Sequence, residues 1–267
     1  MYIKTIFTKI FHFLNLKILK LDYFKSLSDN SYKYNDLKKK IKLLEIINTE
    51  NNKNIDDLLL SESQLGQDLY VLNELKYKKN GYFVEFGAGN GKHLSNTYLL
   101  EKKYNWKGIL AEPAKCWHKG LVKNRTCFIC FDLVNIDTGL NLEFFEFYSS
   151  STLTKFENKD VLNNLKINNE KPKRYTVKSI NINDMLKKYS APSLIDYLSI
   201  DTEGGELEIL KSIDFKNYKF KIITCEHNHK NKNEIKKFLD NKGYTLKFEN
   251  YSYFDGWYTL RMDECYL

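Results

Sequence analysis

The chain has 267 residues, of which 42% are hydrophobic and 15% are aromatic. These proportions exclude a disordered protein and favour one packed catalytic domain with an extension over two full domains. The formal net charge is +8, yet only three of the 42 basic residues are arginines. Solvated surface lysines account for such a charge more simply than a nucleic-acid partner does.

Residues 1–24 carry apolar side chains at helical spacing, with lysines between them. No apolar run is long enough to span a bilayer, and no small-residue cleavage site of a signal peptide is visible. The stripe predicts an amphipathic helix that packs on the protein or on a partner subunit. Peripheral contact with a membrane surface is the alternative. The odd number of irregularly spaced cysteines favours the reducing cytoplasm, and a homo-oligomer is left open.

Residues 30–60 are polar and predict helix, with an Asn-rich hinge at 48–54. A further helix is expected near 66–78. Beyond it, strands alternate with helical stretches, which is the pattern of a parallel α/β sheet. Seven strands are expected, at Tyr82–Phe86, Gly108–Ala111, Thr126–Phe131, Tyr197–Ile200, Lys221–Cys225, Tyr244–Phe248 and Trp257–Arg261.

An insertion separates the third and fourth of these strands. Two β-like runs, Leu142–Tyr148 and Arg174–Ile180, flank a polar segment rich in Asn and Lys at 149–173. A segment of that length predicts a mobile loop or lid. We therefore divide the chain into an N-terminal helical extension over 1–58 and a catalytic domain over 59–267 that contains this lid.

The strongest motif is Phe-Val-Glu-Phe-Gly-Ala-Gly-Asn-Gly at 83–91, where a buried strand runs into a glycine loop. Glycine lets a backbone turn tightly and approach a ligand closely. Dinucleotide enzymes use G-x-G-x-x-G, whereas Lys92 occupies the last glycine position here. Glu85, two residues before Gly87, would repel a pyrophosphate but attract the cationic ammonium of S-adenosylmethionine (SAM). The loop thus favours SAM over NAD, and the next helix is expected to begin near Ser95, a good N-cap residue.

Two further acids end the second and third strands. Glu112 lies about twenty residues beyond the glycines, where a carboxylate accepts hydrogen bonds from the ribose of an adenosine ligand. This position serves NAD and SAM sites alike. Asp132 is a candidate acceptor for the adenine amino group, with a surface turn as its alternative role.

Acids and histidines follow the fourth and fifth strands. Carboxyl ends of neighbouring parallel strands form a ligand crevice, so Asp201, Glu226 and His227 are predicted to meet there. Two carboxylates and an imidazole suit Mg²⁺ or Mn²⁺, although the same groups could position substrate without a metal. The candidates for taking a proton from an acceptor hydroxyl are Glu203, His227 and His229.

At these residues the sequence resembles the FkbM family of methyltransferases, over about residues 60–260. Four segments carry the resemblance: Ser-Gln-Leu-Gly-Gln-Asp-Leu at 63–69, the glycine loop with its continuation through Ser-Asn-Thr at 83–101, Trp-Lys-Gly-Ile-Leu-Ala-Glu-Pro at 106–113, and Asp-Tyr-Leu-Ser-Ile-Asp-Thr-Glu-Gly-Gly-Glu at 196–206. The Glu-His pair at 226–227 and Asp-Gly-Trp-Tyr at 255–258 add weaker support.

The resemblance implies a class I methyltransferase fold, which is Rossmann-like with a seven-stranded, mostly parallel sheet and helices on both faces. It also implies SAM as methyl donor and O-methylation, often of sugars in capsular or lipopolysaccharide glycans. The expected SAM-binding set is Gln67, Asp68, Glu85, Gly87, Ala88, Gly89, Ser95, Glu112, Pro113 and Asp132. Related metal-dependent O-methyltransferases often carry a base three residues after the fourth-strand aspartate. That position is Gly204 here, so the base and the need for a metal stay open.

These patterns predict a SAM-dependent O-methyltransferase that acts on a sugar, either nucleotide-activated, such as a GDP-heptose, or within a glycan. The alternatives are an RNA or other small-molecule methyltransferase, an NAD-dependent oxidoreductase, and a non-catalytic protein with a SAM fold. Scarce arginine argues against RNA. Glu85 argues against NAD, and the intact strand-end acids argue against a non-catalytic protein.

Overall fold

The computed structural model describes residues 38–43, 46, 55–147, 151–154, 172–227 and 231–261. Four predictions fall outside these residues in whole or in large part: the helix over 1–24, the hinge at 48–54, the lid over 149–173, and His229. Residues 38–43 are helical. The helices that follow are α1 (Ile55–Leu60), α2 (Gln67–Glu74), α3 (Tyr98–Tyr104), α4 (Lys115–Asn124), α5 (Ile182–Lys188), α6 (Glu206–Ser212), α7 (Lys232–Asn241) and α8 (Glu249–Ser252).

The strands build one large sheet and one small sheet. They are β1 (Tyr82–Phe86), β2 (Lys107–Ala111), β3 (Phe128–Cys130), β4 (Leu133–Asn135), β5 (Asn141–Glu146), β6 (Thr152–Leu153), β7 (Lys173–Asn181), β8 (Leu194–Ile200), β9 (Lys219–Glu226), β10 (Tyr244–Lys247) and β11 (Asp255–Leu260). All seven predicted sheet strands are present, with bounds shifted by up to three residues.

The large sheet has the order β3-β2-β1-β8-β9-β11-β10. Strand β1 pairs in parallel with β2 on one side and β8 on the other. Strand β11 runs antiparallel to both β9 and β10. This is the class I methyltransferase fold expected from the sequence. The order of the strands reverses between β1 and β8, and ligands of such sheets bind beyond the carboxyl ends at that point.

The insertion forms the small sheet, in the order β4-β7-β5-β6. Strands β5 and β7 pair antiparallel, which confirms the two β-like runs that flank the predicted lid. Strands β4 and β6 were not predicted, because runs of two or three residues give no readable alternation. Strand β3 is shorter than the expected Thr126–Phe131. It is an edge strand, and Phe128 at its start and Phe131 just after its end are 53% and 42% exposed to solvent.

Apolar helix faces cover both sides of the large sheet. On one side, Met185, Leu210 and Leu239 from α5, α6 and α7 join the core beneath β1, β8 and β9. On the other side, the ring of Tyr70 in α2 stacks on Trp257 in β11, with 4.8 Å between ring centroids. Each fully buried aliphatic or aromatic side chain of this kind contributes about 1.5–3 kcal/mol of transfer free energy.

The helical residues 38–43 pack into the second of these layers. Leu43 is fully buried, and a Cβ atom on Gly66 would lie only 2.6 Å from its Cδ2 atom. The ammonium of Lys40, also buried, donates to the Ser61 carbonyl oxygen at 2.7 Å. These contacts join residues 38–43 of the N-terminal extension to the segment that leads into α2. Within the described ranges, no helix is both long and apolar enough to cross a bilayer.

Candidate active site

A cavity of about 340 Å³ opens at the carboxyl ends of β1, β2 and β8. Its volume lies in the range of small-molecule sites, roughly 300–1,000 Å³. The apolar part of its wall includes Ala111, Pro113, Trp117, Leu133, Val134 and Phe144. The remaining wall includes Gln64, Gly87, Gly89, Asn90, His93, Glu112, Asp201, Thr202 and Glu203. A flat apolar ligand group with a polar tail would therefore find matching surfaces in one cavity.

The glycine loop follows β1, lines the cavity and lies against the end of β8. A Cβ atom on Gly87, whose φ is +73°, would lie 1.8 Å from the carbonyl oxygen of Asp201. Only glycine allows this approach of the two backbones. Gly89 has a φ of +52°, and a Cβ atom there would meet no atom within 4 Å. The loop thus presents bare backbone to the cavity at the point where it touches the strand-end acids.

Glu85 does not line this cavity. Its carboxylate accepts hydrogen bonds from Ser95 Oγ at 3.1 Å, from the Asn96 backbone N–H at 2.8 Å, and from the Thr97 hydroxyl. Burial raises the pKa of this carboxyl, and the charge of Arg125 opposes that rise. These internal hydrogen bonds therefore compete with the contact that Glu85 was expected to make with the ammonium of SAM. Ser95 binds this acid rather than capping a helix, because α3 begins after Thr97.

Arg125 binds the end of the glycine loop and the residues that follow it. Its guanidinium is completely buried and donates from Nε to Glu101 Oε2 at 2.6 Å. Its Nη1 donates to the Gly91 carbonyl oxygen and to Ser95 Oγ, and its Nη2 donates to Thr97 Oγ1. A planar fork of five donors can serve so many acceptors at once, which a lysine ammonium cannot. No sequence pattern predicted this structural role of Arg125.

Glu112 reaches the cavity from the end of β2, as expected. Its carboxylate accepts from the Gly89 N–H and from the Ala114 N–H, both at 2.8 Å. Burial raises its pKa to about 7. Because a carboxylate offers about four acceptor positions, these two bonds leave acceptor capacity for a ribose diol.

The other adenosine-side residues divide into two groups. Pro113 lines the cavity, while Ala88 is buried beside the glycine loop. Asp132 is absent from the wall and lies 3.8 Å from the ammonium of Lys188. Its neighbours Leu133 and Val134 form the wall instead. The predicted contact of Asp132 with adenine therefore lacks support from its position.

Three carboxylates meet beyond the ends of β8 and β9. One oxygen each from Asp201, Glu203 and Glu226 lies within 4.8 Å of the others. Burial raises the pKa of Asp201, and its interaction with Glu226 opposes that rise. Burial first, and then the charges of Asp201 and Glu203, raise the pKa of Glu226. Loss of solvation, together with the charges of Asp201 and Glu206, raises the pKa of Glu203 to about 7.

The loop that carries Glu203 is braced from two sides. Glu206 Oε1 accepts from the Thr202 N–H and hydroxyl and from the Gly204 N–H. The Thr152 hydroxyl, from β6 of the insertion, donates to the Glu203 carbonyl oxygen at 2.8 Å. Glu203 itself has a φ of +56°, which is uncommon for a residue with a side chain. The hydrogen bonds with Glu206 and Thr152 stabilise this conformation.

His227 is not a member of this acid group. His227 is buried, and its backbone N–H donates to the Phe254 carbonyl oxygen at 2.8 Å. Among the described side chains, Glu203 rather than His227 is the third member of the cluster. The predicted ligand set of Asp201, Glu226 and His227 stays a prediction, and the all-carboxylate group is a second candidate. His227 directly follows Glu226 along the chain, and adjacent residues of an extended strand point to opposite sides.

The sequence profile of the methyltransferase FkbM domain matches residues 85–246, which is more than half of the chain. The chain belongs to the FkbM methyltransferase family. No curated protein sequence matches it significantly.

Several solved structures are distantly similar to this chain. One is a precorrin-6y C5,15-methyltransferase from Geobacter metallireducens, at 14% identity and a TM-score of 0.37, covering 70% of this chain and 76% of that one. A second is the METTL16 methyltransferase domain, at 16% identity and a TM-score of 0.38, covering 72% and 64%. A third is a human methyltransferase 10 domain containing protein, at 14% identity and a TM-score of 0.35, covering 73% and 79%.

Membership of the FkbM family implies SAM as the methyl donor, and the cavity fits it. The bare backbone at Gly89 leaves room for a ligand. Glu112 supplies acceptors for a ribose, and the apolar side chains of Leu133 and Phe144 suit a flat base. These residues would hold the adenosine part of the donor.

A second, much smaller cavity adjoins the first and shares Gln64, Leu94 and Asp201 with it. Gln67 lines the smaller cavity, and its Nε2 donates to Asp255 Oδ2 at 2.8 Å. Its remaining wall is Asn96, Ser199, Ile200, Glu226, Phe254 and Asp255.

Asp68 does not reach either cavity. Its Oδ1 accepts from the hydroxyls of Ser61 and Ser63 and from the Leu69 N–H, so it organises the turn before α2. Asn96 and Asp255 were missed as site residues. Both stand inside segments that resemble the FkbM family, which was the available signal.

Proposed function

We propose that this chain is a SAM-dependent O-methyltransferase that methylates a hydroxyl of a sugar, either nucleotide-activated or within a glycan. One observation carries the proposal. Asp201 and Glu203 border the same cavity as the glycine loop, and the loop backbone touches Asp201 at Gly87. An acceptor hydroxyl beside these acids would lie next to the methyl group of a donor bound on the loop.

The chemistry asks for a group that accepts a proton. Methyl transfer forms a bond between the acceptor oxygen and the methyl carbon, and the sulfonium sulfur leaves with the electron pair of the broken bond. The hydroxyl proton must then leave the oxygen. Glu203 suits this task, because a base with a pKa of about 7 is half deprotonated at neutral pH.

A divalent cation, Mg²⁺ or Mn²⁺, belongs to the proposal, and the residues fit it. Asp201 and Glu226 offer the oxygen ligands that these ions prefer and lie close enough to share one ion, while Glu203 lies beside them as the base. In the absence of an ion, burial and mutual repulsion raise the pKa of Glu226, which favours its neutral form. When bound, such an ion would lower the pKa of the acceptor hydroxyl.

The class of acceptor rests on the lining and on the family resemblance. Gln64, Asp201 and Glu203 give the cavity several hydrogen-bond acceptors at its polar wall. A polyol donates one hydrogen bond from each hydroxyl, so such a wall favours a sugar over an apolar acceptor. A diphosphate of a nucleotide-activated sugar would have to lie away from the three carboxylates, because like charges repel.

The test is methyl transfer from labelled SAM, in the presence of Mg²⁺, to a panel of nucleotide-activated hexoses and heptoses, bacterial surface glycans and RNA. We expect the label in a sugar, as a methyl ether found by mass spectrometry. The Glu203→Gln variant should lower kcat at least about 100-fold and leave the affinity for S-adenosylhomocysteine nearly unchanged. Glu143→Gln, on the exposed side of β5, is the matched control. Label only in RNA, or on carbon or nitrogen, would refute the proposal.

A further inference from the structure

The small cavity beside the acids holds about one group. Its volume is about 10 Å³, and one water molecule needs roughly 10–15 Å³ by this measure. A sugar ring or a base therefore cannot enter it. It can receive a single hydroxyl, ammonium or water that extends from a ligand in the large cavity, past the shared residues Gln64 and Asp201.

Asn96 offers this cavity an unused acceptor. Its side chain is only 7% exposed. Its backbone N–H donates to Glu85 Oε1 at 2.8 Å, and its Nδ2 donates to Ser199 Oγ at 2.9 Å. Its Oδ1 is buried and has no hydrogen-bond partner among the described residues. Buried acceptors are seldom left unpaired in folded proteins, so this oxygen calls for a donor that arrives with a ligand.

The charges around Asn96 select the kind of donor. Asp201, Glu226 and Asp255 line the same small cavity, and it contains no described cationic side chain. A group that is both a hydrogen-bond donor and a cation satisfies the orphaned oxygen and offsets the carboxylates, whereas a hydroxyl meets only the first need. The wall therefore favours an ammonium group over a hydroxyl.

We propose that Asn96 Oδ1, flanked by Asp201 and Asp255, receives the ammonium of the amino-acid part of SAM. The large cavity places the donor beside Gly87, and Gly87 abuts Asp201, which is common to both cavities. The acid first expected to attract this ammonium, Glu85, is already bound by Ser95, Asn96 and Thr97. Asn96 thereby links the structural acid Glu85 to the ligand. The inference depends on the methyl donor but not on the identity of the acceptor.

The test compares two ligands of the intact protein by calorimetry in the presence of EDTA, so that both ligands meet the same ion-free acids. One ligand is S-adenosylhomocysteine, and the other is its deaminated analogue, with hydrogen in place of the amino group. The wild type should bind the amino compound more tightly. Asn96→Leu should reduce that ratio roughly tenfold, the effect of one hydrogen bond to a charged group. Because both ligands meet the same variant, a general loss of stability cancels in the ratio.

Two further variants complete the design. Asn96→Asp keeps an oxygen and adds a negative charge, so its ratio should equal or exceed that of the wild type. Asn233→Leu, on the exposed part of α7, should leave the ratio unchanged. An Asn96→Leu variant that keeps the full preference for the amino compound would overturn the proposal. So would an Asn96→Asp variant that loses it. Failure of the wild type to bind S-adenosylhomocysteine would overturn the methyl-donor assignment as well.

Discussion

Gly87 and Asp201 are in backbone contact: a side chain on the first would penetrate the carbonyl group of the second, with only 1.8 Å between the atoms. The loop expected to bind the methyl donor and the strand end that carries the acids are therefore held as one rigid piece. The distance between donor and acceptor then depends on the packing of β1 against β8, which pair in parallel over Phe83–Phe86 and Tyr197–Ile200.

Gly87→Ala should therefore damage the site more than a positive φ alone would. Gly139→Ala is the matched control, because Gly139 also has a positive φ, +86°, but has no atom within 4 Å of its would-be Cβ. We expect the control to lose about 1–2 kcal/mol of unfolding free energy. The Gly87 variant should lose clearly more and should bind no S-adenosylhomocysteine. Thermal unfolding and calorimetry measure both quantities, and equal effects of the two substitutions would contradict the close contact.

Arg125→Lys should be strongly destabilising, although it conserves the charge. The ammonium cannot reach Glu101, Gly91 and Thr97 at once, so buried acceptors lose their donors. We expect a loss of about 3–5 kcal/mol, the usual effect of breaking a buried ion pair. Arg261→Lys, at a largely exposed pair with Asp240, should cost less than about 1 kcal/mol. Chemical denaturation measures the loss of unfolding free energy in each variant, and similar midpoints would refute the role of Arg125.

Much of the fold could be read from the sequence, because long buried strands and a glycine loop leave clear patterns. The chemistry of Glu85 could not be read in the same way. A single acid before a glycine loop looks the same whether it faces a ligand or a buried arginine, and Arg125 lies 40 residues away along the chain. Likewise, Glu203 entered the acid group because its loop turns back through a positive φ, which sequence alone does not indicate.

Glu112→Gln should weaken S-adenosylhomocysteine binding by about 1–3 kcal/mol, because an amide replaces a charged acceptor of the ribose hydroxyls. The amide keeps one oxygen for the Gly89 or the Ala114 N–H, so the loop should stay folded. Isothermal titration at neutral pH measures the change, with Glu143→Gln as the exposed control. Unaltered affinity would remove Glu112 from the donor site.

The ligand-free protein should lose stability as the pH rises from about 4 to about 7. Burial raises the pKa of Glu112 and of Asp255 to about 7, whereas these groups titrate near 4 in an unfolded chain. In that window the folded protein holds protons that the unfolded chain has released, so the unfolding free energy falls with rising pH. Thermal unfolding in EDTA across the window should show this fall. The Glu112→Gln variant should show a shallower one, and a parallel curve would contradict the assignment.

Divalent-ion binding should release a proton. Burial raises the pKa of Asp201 and of Glu226, so Mg²⁺ or Mn²⁺ must compete with protons for these carboxyls, and its affinity should increase with pH. Titration in two buffers with different ionisation enthalpies counts the released protons. Glu226→Gln should abolish the binding, whereas Glu234→Gln, in an exposed ion pair on α7, should not. Wild-type protein that binds no ion would remove the cation from the proposed mechanism and leave Glu203 as the base.

The hydrogen bond from Thr152 to the Glu203 carbonyl oxygen has a consequence for evolution within the family. Strand β6 belongs to the inserted small sheet, whose Phe144 also lines the cavity. A lineage that remodels this insertion to admit a new acceptor therefore disturbs the support of Glu203, the proposed base, in the same step. Changes of substrate would initially come with a slower enzyme, and compensating substitutions should accumulate around residues 202–206 rather than in the glycine loop.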